Sequence, residues 1–155
     1  MAKDKDRIQK HVNIVNRKAS FEFQFIDKYT AGVMLKGTEI KSIREGKVNM
    51  QDGYCVFTRG ELWLHNMHIS TYTEGTHYNH EPMRARKLLL NKNELRKLEA
   101  GAQEQGVTII PTRLFVNDRG FAKVEIALAR GKKLYDKRED IKAKDVKREM
   151  ERSGY

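Results

Sequence analysis

The feature that most constrains the fold is a pair of long β-type segments, residues 107–116 and 121–130, separated by only four residues. The intervening residues 117–120 read Asn-Asp-Arg-Gly, and these residue types tolerate the unusual backbone angles of tight turns. Residues 123–128 read Lys-Val-Glu-Ile-Ala-Leu, so Val, Ile and Leu face one side of a sheet while Lys and Glu face the other. The pattern predicts a β-hairpin.

Shorter strand patterns precede this hairpin. Residues 21–25 read Phe-Glu-Phe-Gln-Phe, an alternation typical of a strand, and the apolar stretch 31–35 is expected to continue or pair with it. Residues 53–58 and 62–69 predict two further strands, joined by a tight turn at Arg59-Gly60. The chain is therefore expected to be mainly β.

Two helices are predicted between the strands. Thr38 is expected to be the N-cap of a short helix, 39–45. Asn91 is expected to cap a helix over 92–105, with Glu94 completing a capping box. Because this helix precedes the last hairpin, the order favours a small closed barrel of the OB type, whose open face and loops often bind oligonucleotides. An SH3-like barrel is the alternative, although it would not need that helix.

The distribution of charge divides the chain into three parts. Residues 1–12 are mostly polar and predict a mobile arm, and residues 13–130 form the predicted barrel. Residues 131–155 contain nine Lys+Arg and six Asp+Glu, with too few apolar residues for a core. We expect this basic tail to be largely disordered alone and helical when bound. The alternative is a solubilising tail that has no partner.

The net charge of +10, from 31 Lys+Arg and 21 Asp+Glu, favours a polyanionic partner such as nucleic acid over a merely soluble basic protein. Cys55 is the only cysteine, which excludes an intrachain disulfide and a cysteine-rich zinc site. The sequence contains no secretory signal pattern and no apolar run near the ~20 residues that a membrane span requires. These features predict a cytoplasmic protein without a membrane partner.

The sequence offers few catalytic candidates. His77, His80 and Glu81 follow the order H-x-x-H-E, which differs from the zinc-protease patterns H-E-x-x-H and H-x-x-E-H. They lie in a predicted loop, 71–82, where histidines are expected to be solvated. Cys55 lies within a strand pattern and is expected to be a small buried hydrophobe. We predict no catalytic residue, metal or cofactor; a hydrolase that uses these three loop residues is the remaining enzyme hypothesis.

Nucleic-acid binding is better supported, although by a combination of features. Basic residues recur in two parts of the predicted barrel and in the tail: Lys36, Lys41, Arg44 and Lys47; Arg84, Arg86 and Lys87; and residues 131–155. Such cations can pair with phosphates, and exposed aromatics such as Tyr54 or Tyr72 can stack on unpaired bases. The residues alone predict a basic OB-like nucleic-acid binder, and they do not identify the nucleic acid.

Five segments resemble, in the same order, the motifs of the tmRNA-binding protein family, also called small protein B or SsrA-binding protein. They span nearly the whole chain: NRKA at 16–19; GTEIKSIR at 37–44; KVN at 47–49 with DGY at 52–54; RKLLLN at 86–91 with EL at 94–95; and GKKLYDKR at 131–138. The resemblance implies a non-enzymatic, bacterial protein that binds the tRNA-like domain of tmRNA and delivers it to stalled ribosomes for trans-translation. A monomer is expected because the sequence shows no obvious interface.

The resemblance also implies which residues carry these roles. The barrel residues expected to contact the RNA, or to support that surface, are Asn16, Arg17, Lys18, Glu39, Lys41, Arg44, Asn49, Arg84, Arg86 and Lys87. For Glu39 a structural role, as a carboxylate near a helix N-terminus, is an equal alternative.

The tail is expected to enter the decoding centre and the empty messenger channel of the ribosome, with Gly131 as a hinge. Its candidate residues are Gly131, Lys132, Lys133, Tyr135, Asp136, Lys137 and Arg138. The alternative function is a generic OB-fold binder of single-stranded RNA or DNA without a ribosomal role.

Overall fold

The computed structural model describes residues 12–73, 79–132, 141, 144, 147 and 148. In chain order, its elements are β1 (Asn13–Val15), α1 (Arg17–Glu22), β2 (Phe23–Val33), α2 (Gly37–Arg44), β3 (Val48–Asn49), β4 (Tyr54–Thr58), β5 (Glu61–His65), β6 (His68–Ile69), β7 (Arg86–Leu89), α3 (Lys92–Ala102), β8 (Val107–Val116) and β9 (Ala122–Gly131). None of the helices in these ranges is long and apolar enough to cross a membrane.

The long strands close into an antiparallel barrel. Their order around the ring is β8–β4–β5–β7–β2–β9, and β9 pairs with β8 to close it. Strand β1 pairs with β8 at residues 113–115, on the edge of β8 that does not face β9. Inward side chains such as Leu62, Leu64, Leu114 and Ile126 are fully buried and fill the ring. The predicted mainly β, OB-like barrel is confirmed, including the long hairpin of β8 and β9.

Helix α3 lies where the OB arrangement requires it, packed against β8 and β9. Asn91 caps it through a hydrogen bond from the Glu94 backbone N–H to Asn91 Oδ1 (2.8 Å), as predicted. A Cβ at Gly101 would stand 2.5 Å from Leu128 Cδ1, so glycine allows the helix to approach the strand closely. The helix ends at Ala102, three residues before the predicted end.

Both predicted hairpin turns are present. Arg59 and Gly60 have φ of 54° and 77°, the positive pair of a two-residue turn that matches the twist of β4 and β5. In the second turn, Asn117 Oδ1 accepts hydrogen bonds from the backbone N–H groups of Arg119 (3.1 Å) and Phe121 (2.9 Å). Local turn chemistry therefore fixes the register of these hairpins.

The first strand is shorter at its start than its alternation predicts. Residues 17–22 form helix α1, so Phe21 and Glu22 belong to a helix and β2 begins at Phe23. The reason is local, because Asn16 Oδ1 accepts a hydrogen bond from Ala19 N (3.1 Å) and so caps a helical turn. Strand β2 then runs to Val33, with a bulge after Phe25, so residues 31–33 of the apolar stretch 31–35 continue the strand, and Met34 and Leu35 lie beyond its end.

Helix α2 begins at Gly37, and the prediction that Thr38 is its N-cap is wrong. The N-cap is Lys36, whose backbone N–H donates to Glu39 Oε1 at 2.8 Å. The Thr38 hydroxyl is instead 2.8 Å from His80 Nδ1, a tertiary contact that a local sequence pattern does not reveal. Thr38 therefore joins α2 to the segment before β7.

The folded body is slightly larger than residues 13–130. Val12 is 3% exposed, and its carbonyl accepts a hydrogen bond from Val116 N (3.2 Å), so the body already includes the last residue of the predicted arm. Residues 1–11 lie outside the described residues. At the other end β9 continues through Gly131.

Candidate nucleic-acid interface

A buried cluster of charges lies between α2 and β7. Glu39 and Arg86 are both 0% exposed, and Arg86 Nε donates to Glu39 Oε2 at 2.6 Å. Arg84 Nη2 donates to the other carboxylate oxygen at 2.5 Å, and the Lys36 backbone N–H donates to that same oxygen. Both residues are among those predicted to contact RNA or to support that surface, and the structure buries both of them.

Burial opposes the charged form of both buried partners. Burial alone would raise the pKa of Glu39, but hydrogen bonds from Arg84, from the Lys36 backbone and from Arg86 outweigh it and leave the pKa of Glu39 below its ordinary value. Burial lowers the pKa of Arg86, although the neighbouring Glu39 carboxylate counteracts this effect. Because a guanidinium remains protonated in proteins, the two side chains form a buried ion pair.

The arginines of this cluster also bind backbone carbonyls. Arg86 donates to the carbonyls of Met67 and Pro82, the second at 3.0 Å. Arg84 Nη2 donates to the carbonyl of Met34 at 3.3 Å. The cluster thus connects α2 with the end of β2 and with the segments on either side of residues 70–81. This set of contacts fixes how α2 sits on the barrel.

The outward side of α2 presents cations. Lys41 is exposed, and its Nζ lies 5.4 Å from the centroid of the Tyr72 ring. Arg44 is half-buried, one helical turn further on. Asn49 is exposed after α2, and its Oδ1 accepts a hydrogen bond from Gln51 N (3.0 Å). The structure therefore leaves Lys41, Arg44 and Asn49 accessible to a ligand.

An open apolar groove lies beside Arg44. Its most exposed side chains are Met34 (52%), Leu89 (49%) and Phe121 (65%), and Arg44 forms part of its lining. We call this groove with its cation the α2 groove. Apolar surface next to a guanidinium suits a nucleotide, whose base and sugar pack on the former and whose phosphate pairs with the latter.

Sequence reasoning missed three residues of this region. Leu89 is predicted only as part of the RKLLLN motif, Phe121 only as the first residue of a strand, and Lys123 only by its alternation. Lys123 and Leu89 lie on either side of Gly32. A Cβ added at Gly32 would be 3.6 Å from Lys123 Nζ and 3.4 Å from Leu89 Cβ. The available signal was Phe121, a large apolar residue directly after a polar turn.

Asn16 is buried, and both polar atoms of its side chain form hydrogen bonds within the barrel. It is 2% exposed, its Oδ1 caps α1, and its Nδ2 donates to the carbonyls of Pro111 (2.8 Å) and Met50 (3.1 Å). A single amide therefore connects the start of α1, the bulge in β8 and the segment before β4.

The other predicted cations are at least partly accessible. Arg17 and Lys18 are exposed on α1, and a hydrogen bond from Lys18 Nζ to Asp52 Oδ1 (2.7 Å) raises the pKa of Lys18. Lys87 lies on the outer face of β7, with its Nζ 3.0 Å from Glu61 Oε1. These pairs lie at the surface, where such ion pairs exchange readily with solvent and ligands.

The hydrolase hypothesis finds no support in the described residues. His80 was expected to be solvated, but it is 3% exposed, with Nε2 2.9 Å from the Ile69 carbonyl and Nδ1 near the Thr38 hydroxyl. His77 lies outside the described residues. Cys55 is buried as predicted, which raises the pKa of its thiol. Among the described residues, no three His, Cys, Asp or Glu side chains are grouped to hold a metal.

The tail residues are described only in part. Gly131 pairs with Phe23 as the last residue of β9, so its own backbone is held and the predicted hinge at Gly131 is wrong. Lys132 N donates to the Glu22 carbonyl (2.8 Å), and Lys132 Nζ donates to the Ser20 carbonyl (3.0 Å), at the C-terminal end of α1. The remaining candidates, Lys133, Tyr135, Asp136, Lys137 and Arg138, lie outside the described residues.

Comparison with known proteins gives consistent matches. The profile of a family described as SmpB protein matches residues 13–154. An SsrA-binding protein of Cytophaga hutchinsonii is 61% identical over 145 residues, which cover 94% of this chain and 95% of that protein. An SsrA-binding protein of Trichodesmium erythraeum is 53% identical over 154 residues, covering 99% and 97%.

A solved structure described as "tmRNA-SmpB: a journey to the center of the bacterial ribosome" is similar to the barrel. It superposes with a TM-score of 0.68 at 44% sequence identity, and the match covers 79% of this chain and 86% of that chain.

Proposed function

The chain belongs to the SmpB protein family, and from this premise we propose that it binds tmRNA and acts with it on the ribosome in trans-translation. The observation that carries the proposal is the family match over residues 13–154, which includes both the barrel and the tail. The excess of positive charge agrees with an RNA partner. A role on the ribosome would place the protein in the cytoplasm, and it requires no catalysed reaction.

We propose that the α2 groove is the principal RNA surface of the barrel. Phe121 and Leu89 offer exposed apolar area to bases and sugars, while Arg44 and Lys123 offer charge to phosphates. Lys41 extends the basic surface along α2. The buried ion pairs of Glu39 with Arg84 and Arg86 support this proposal, because they hold in place the helix α2 that carries Lys41 and Arg44.

The segment after Lys132 is proposed to contact the decoding centre and the empty messenger channel. Lys132 is tied by two hydrogen bonds to the end of α1, so a hinge between barrel and tail would lie beyond Lys132. A basic segment gains phosphate contacts in a channel lined by RNA. On this proposal, removing residues 133–155 spares tmRNA binding and abolishes ribosome rescue.

The test of the barrel is a binding titration. The full-length protein is titrated with the tRNA-like domain of tmRNA and with an elongator tRNA at several salt concentrations. We expect tight binding that prefers the tmRNA fragment and weakens with salt, with a slope of about −0.7 to −0.9 per phosphate contact. Equal and weak binding to both RNAs would instead favour the generic nucleic-acid binder.

A charge-matched pair of variants locates the surface. Lys41→Ala with Arg44→Ala removes two cations from α2, and Arg96→Ala with Lys97→Ala removes two exposed cations from α3. We expect the first pair to weaken tmRNA binding at least about tenfold, because both cations face the proposed surface, and the second pair to weaken it only slightly. Equal losses would mean that net charge alone drives binding and that α2 is not the RNA surface.

A further inference from the structure

A stacked aromatic pair lies on the barrel wall. Tyr54 of β4 and His65 of β5 are cross-strand partners, with ring centroids 5.4 Å apart and 14° between the ring planes. Tyr54 is 39% exposed, and Val56, two residues along the same strand, is 41% exposed. Because side chains alternate along a strand and Cys55 points into the core, these residues face outward.

The same face continues across one further strand, β7. Val56 pairs with Trp63, and Trp63 pairs with Lys87 of β7. We call Tyr54, Val56, Trp63 and His65 the β4–β5 patch. It is rich in aromatic rings and distinct from the α2 groove, whose lining comes from other residues.

The charges at the Trp63–His65 end of the patch favour an anionic partner. Arg59 lines a shallow depression together with Trp63 and His65, and Lys87 stands beside Trp63 in the sheet. One carboxylate, Glu61, faces the same depression and pairs with Lys87. Two cations thus stand against one carboxylate at this depression, whereas Glu99 lies beside Val56 at the other end of the patch.

We propose that the β4–β5 patch binds an unpaired RNA base, which stacks on the Tyr54–His65 pair while Lys87 and Arg59 contact the adjoining phosphates. The proposal rests on the proposed function and adds a second RNA contact to the α2 groove. The outer face of the central strands is a general binding surface of OB barrels, and stacking on aromatics tolerates any base. The patch would therefore hold a single-stranded segment without reading its sequence.

The protein contains a built-in reporter for this site. Trp63 is the only tryptophan, so its fluorescence reports on the patch alone. The full-length protein is titrated with an unstructured oligoribonucleotide of about eight nucleotides. A second oligomer of the same length carries the same phosphates but no bases. We expect saturable quenching of Trp63 by the first oligomer and little quenching by the second.

Variants separate stacking from charge and from folding. Tyr54→Leu keeps an apolar side chain but removes the ring, and we expect it to weaken oligomer binding at least about fivefold, whereas Tyr54→Phe keeps the ring and binds like the unaltered protein. His65→Thr removes the other ring with a residue that suits a strand, so a folding defect in one variant does not decide the result. Val15→Ala, at a 50% exposed site on β1, is the control.

Two outcomes would overturn the proposal that the β4–β5 patch binds an RNA base. One is equal quenching by the oligomer that lacks bases, and the other is unaltered affinity in both Tyr54→Leu and His65→Thr. A protein that binds tmRNA and depends on Arg44, while Trp63 stays unresponsive, would refute the patch and leave the proposed function intact. Absence of tmRNA binding by the unaltered protein would refute the proposed function itself.

Discussion

Helix α2 carries charged residues on two sides, and the molecule uses the two sides in opposite ways. On the inner side Glu39 is fully buried and held between Arg84 and Arg86. On the outer side Lys41 is exposed and Arg44 lines an open groove. One short motif therefore contains a residue that fixes the helix and residues that are available to a ligand.

The energetics of the two sides differ as sharply as their burial. Removing one partner of a buried ion pair leaves an uncompensated charge, which costs about 3–5 kcal/mol, whereas an exposed pair contributes roughly 0–1 kcal/mol. Variants on the inner side should therefore change stability, and variants on the outer side should change RNA affinity. Variants of Glu39 test this division on α2, and variants of Asn16 and Glu61 extend the comparison of buried with exposed polar groups to the rest of the barrel.

The largest effect is expected for Glu39→Leu. This change leaves the guanidinium of Arg86 in the core without its carboxylate partner. The free energy of unfolding should therefore fall by about 3–5 kcal/mol. The measurement is urea unfolding followed by circular dichroism. Glu61→Leu, which breaks the exposed pair with Lys87, is the control and should change stability by less than about 1 kcal/mol. Equal changes in the two variants would contradict the division.

A smaller loss of stability is expected for Asn16→Ala. The change removes the cap of α1 and leaves the carbonyls of Met50 and Pro111 without their amide donor, so we expect a loss of about 2 kcal/mol. Asn49→Ala is the matched control, because that side chain is exposed and its Oδ1 accepts a hydrogen bond from the backbone N–H of Gln51, two residues away. If Asn16→Ala weakened RNA binding without changing the urea midpoint, Asn16 would be a contact residue after all.

Much of the fold was predictable because its signals are local. The hairpin of β8 and β9, the Arg59-Gly60 turn and the Asn91 cap each depend on residues only a few positions apart. Helix α1 was missed because one capping bond at Asn16 outweighed the alternation of the phenylalanines that follow. Competing local signals of similar strength are decided by tertiary contacts, which the sequence does not display.

The candidate site was predictable as a set of residues, but their roles were not. Arg86 reads as part of a basic cluster, although on β7 it shares the inward face with Leu88, a period-two signal that could have indicated its burial. The carboxylate that neutralises Arg86 lies 47 residues away in sequence, so their pairing becomes visible only in the folded chain. Phe121 was missed because the groove it lines is formed by several separate segments, and Lys123 was missed because it meets Leu89 only across three strands, on either side of Gly32.

The dependence of stability on pH is expected to be smaller still. The pKa of Glu39 is lower in the folded protein than its ordinary value, so ionised Glu39 stabilises the fold above the unfolded pKa, and this stabilisation is lost as pH falls through the folded value. Urea midpoints between about pH 6 and pH 3 should therefore fall less steeply in Glu39→Gln than in the unaltered protein. Glu99→Gln, at an exposed carboxylate on α3, should leave the slope unchanged. A steeper fall in Glu39→Gln would mean that burial outweighs the arginines.

The smallest expected effect is an increase in RNA affinity. Glu61→Gln removes the one carboxylate of the depression beside Trp63 and releases Lys87 from its 3.0 Å contact, so phosphates approach a more positive surface. Between exposed charges in water the gain is a fraction of a kcal/mol, or about two- to threefold in affinity, and it should shrink as salt is added. Trp63 quenching at low and at physiological salt measures it. Weaker binding by Glu61→Gln would mean that Glu61 positions Lys87 for the RNA, and that an exposed carboxylate can then support a cation much as Glu39 does in the core.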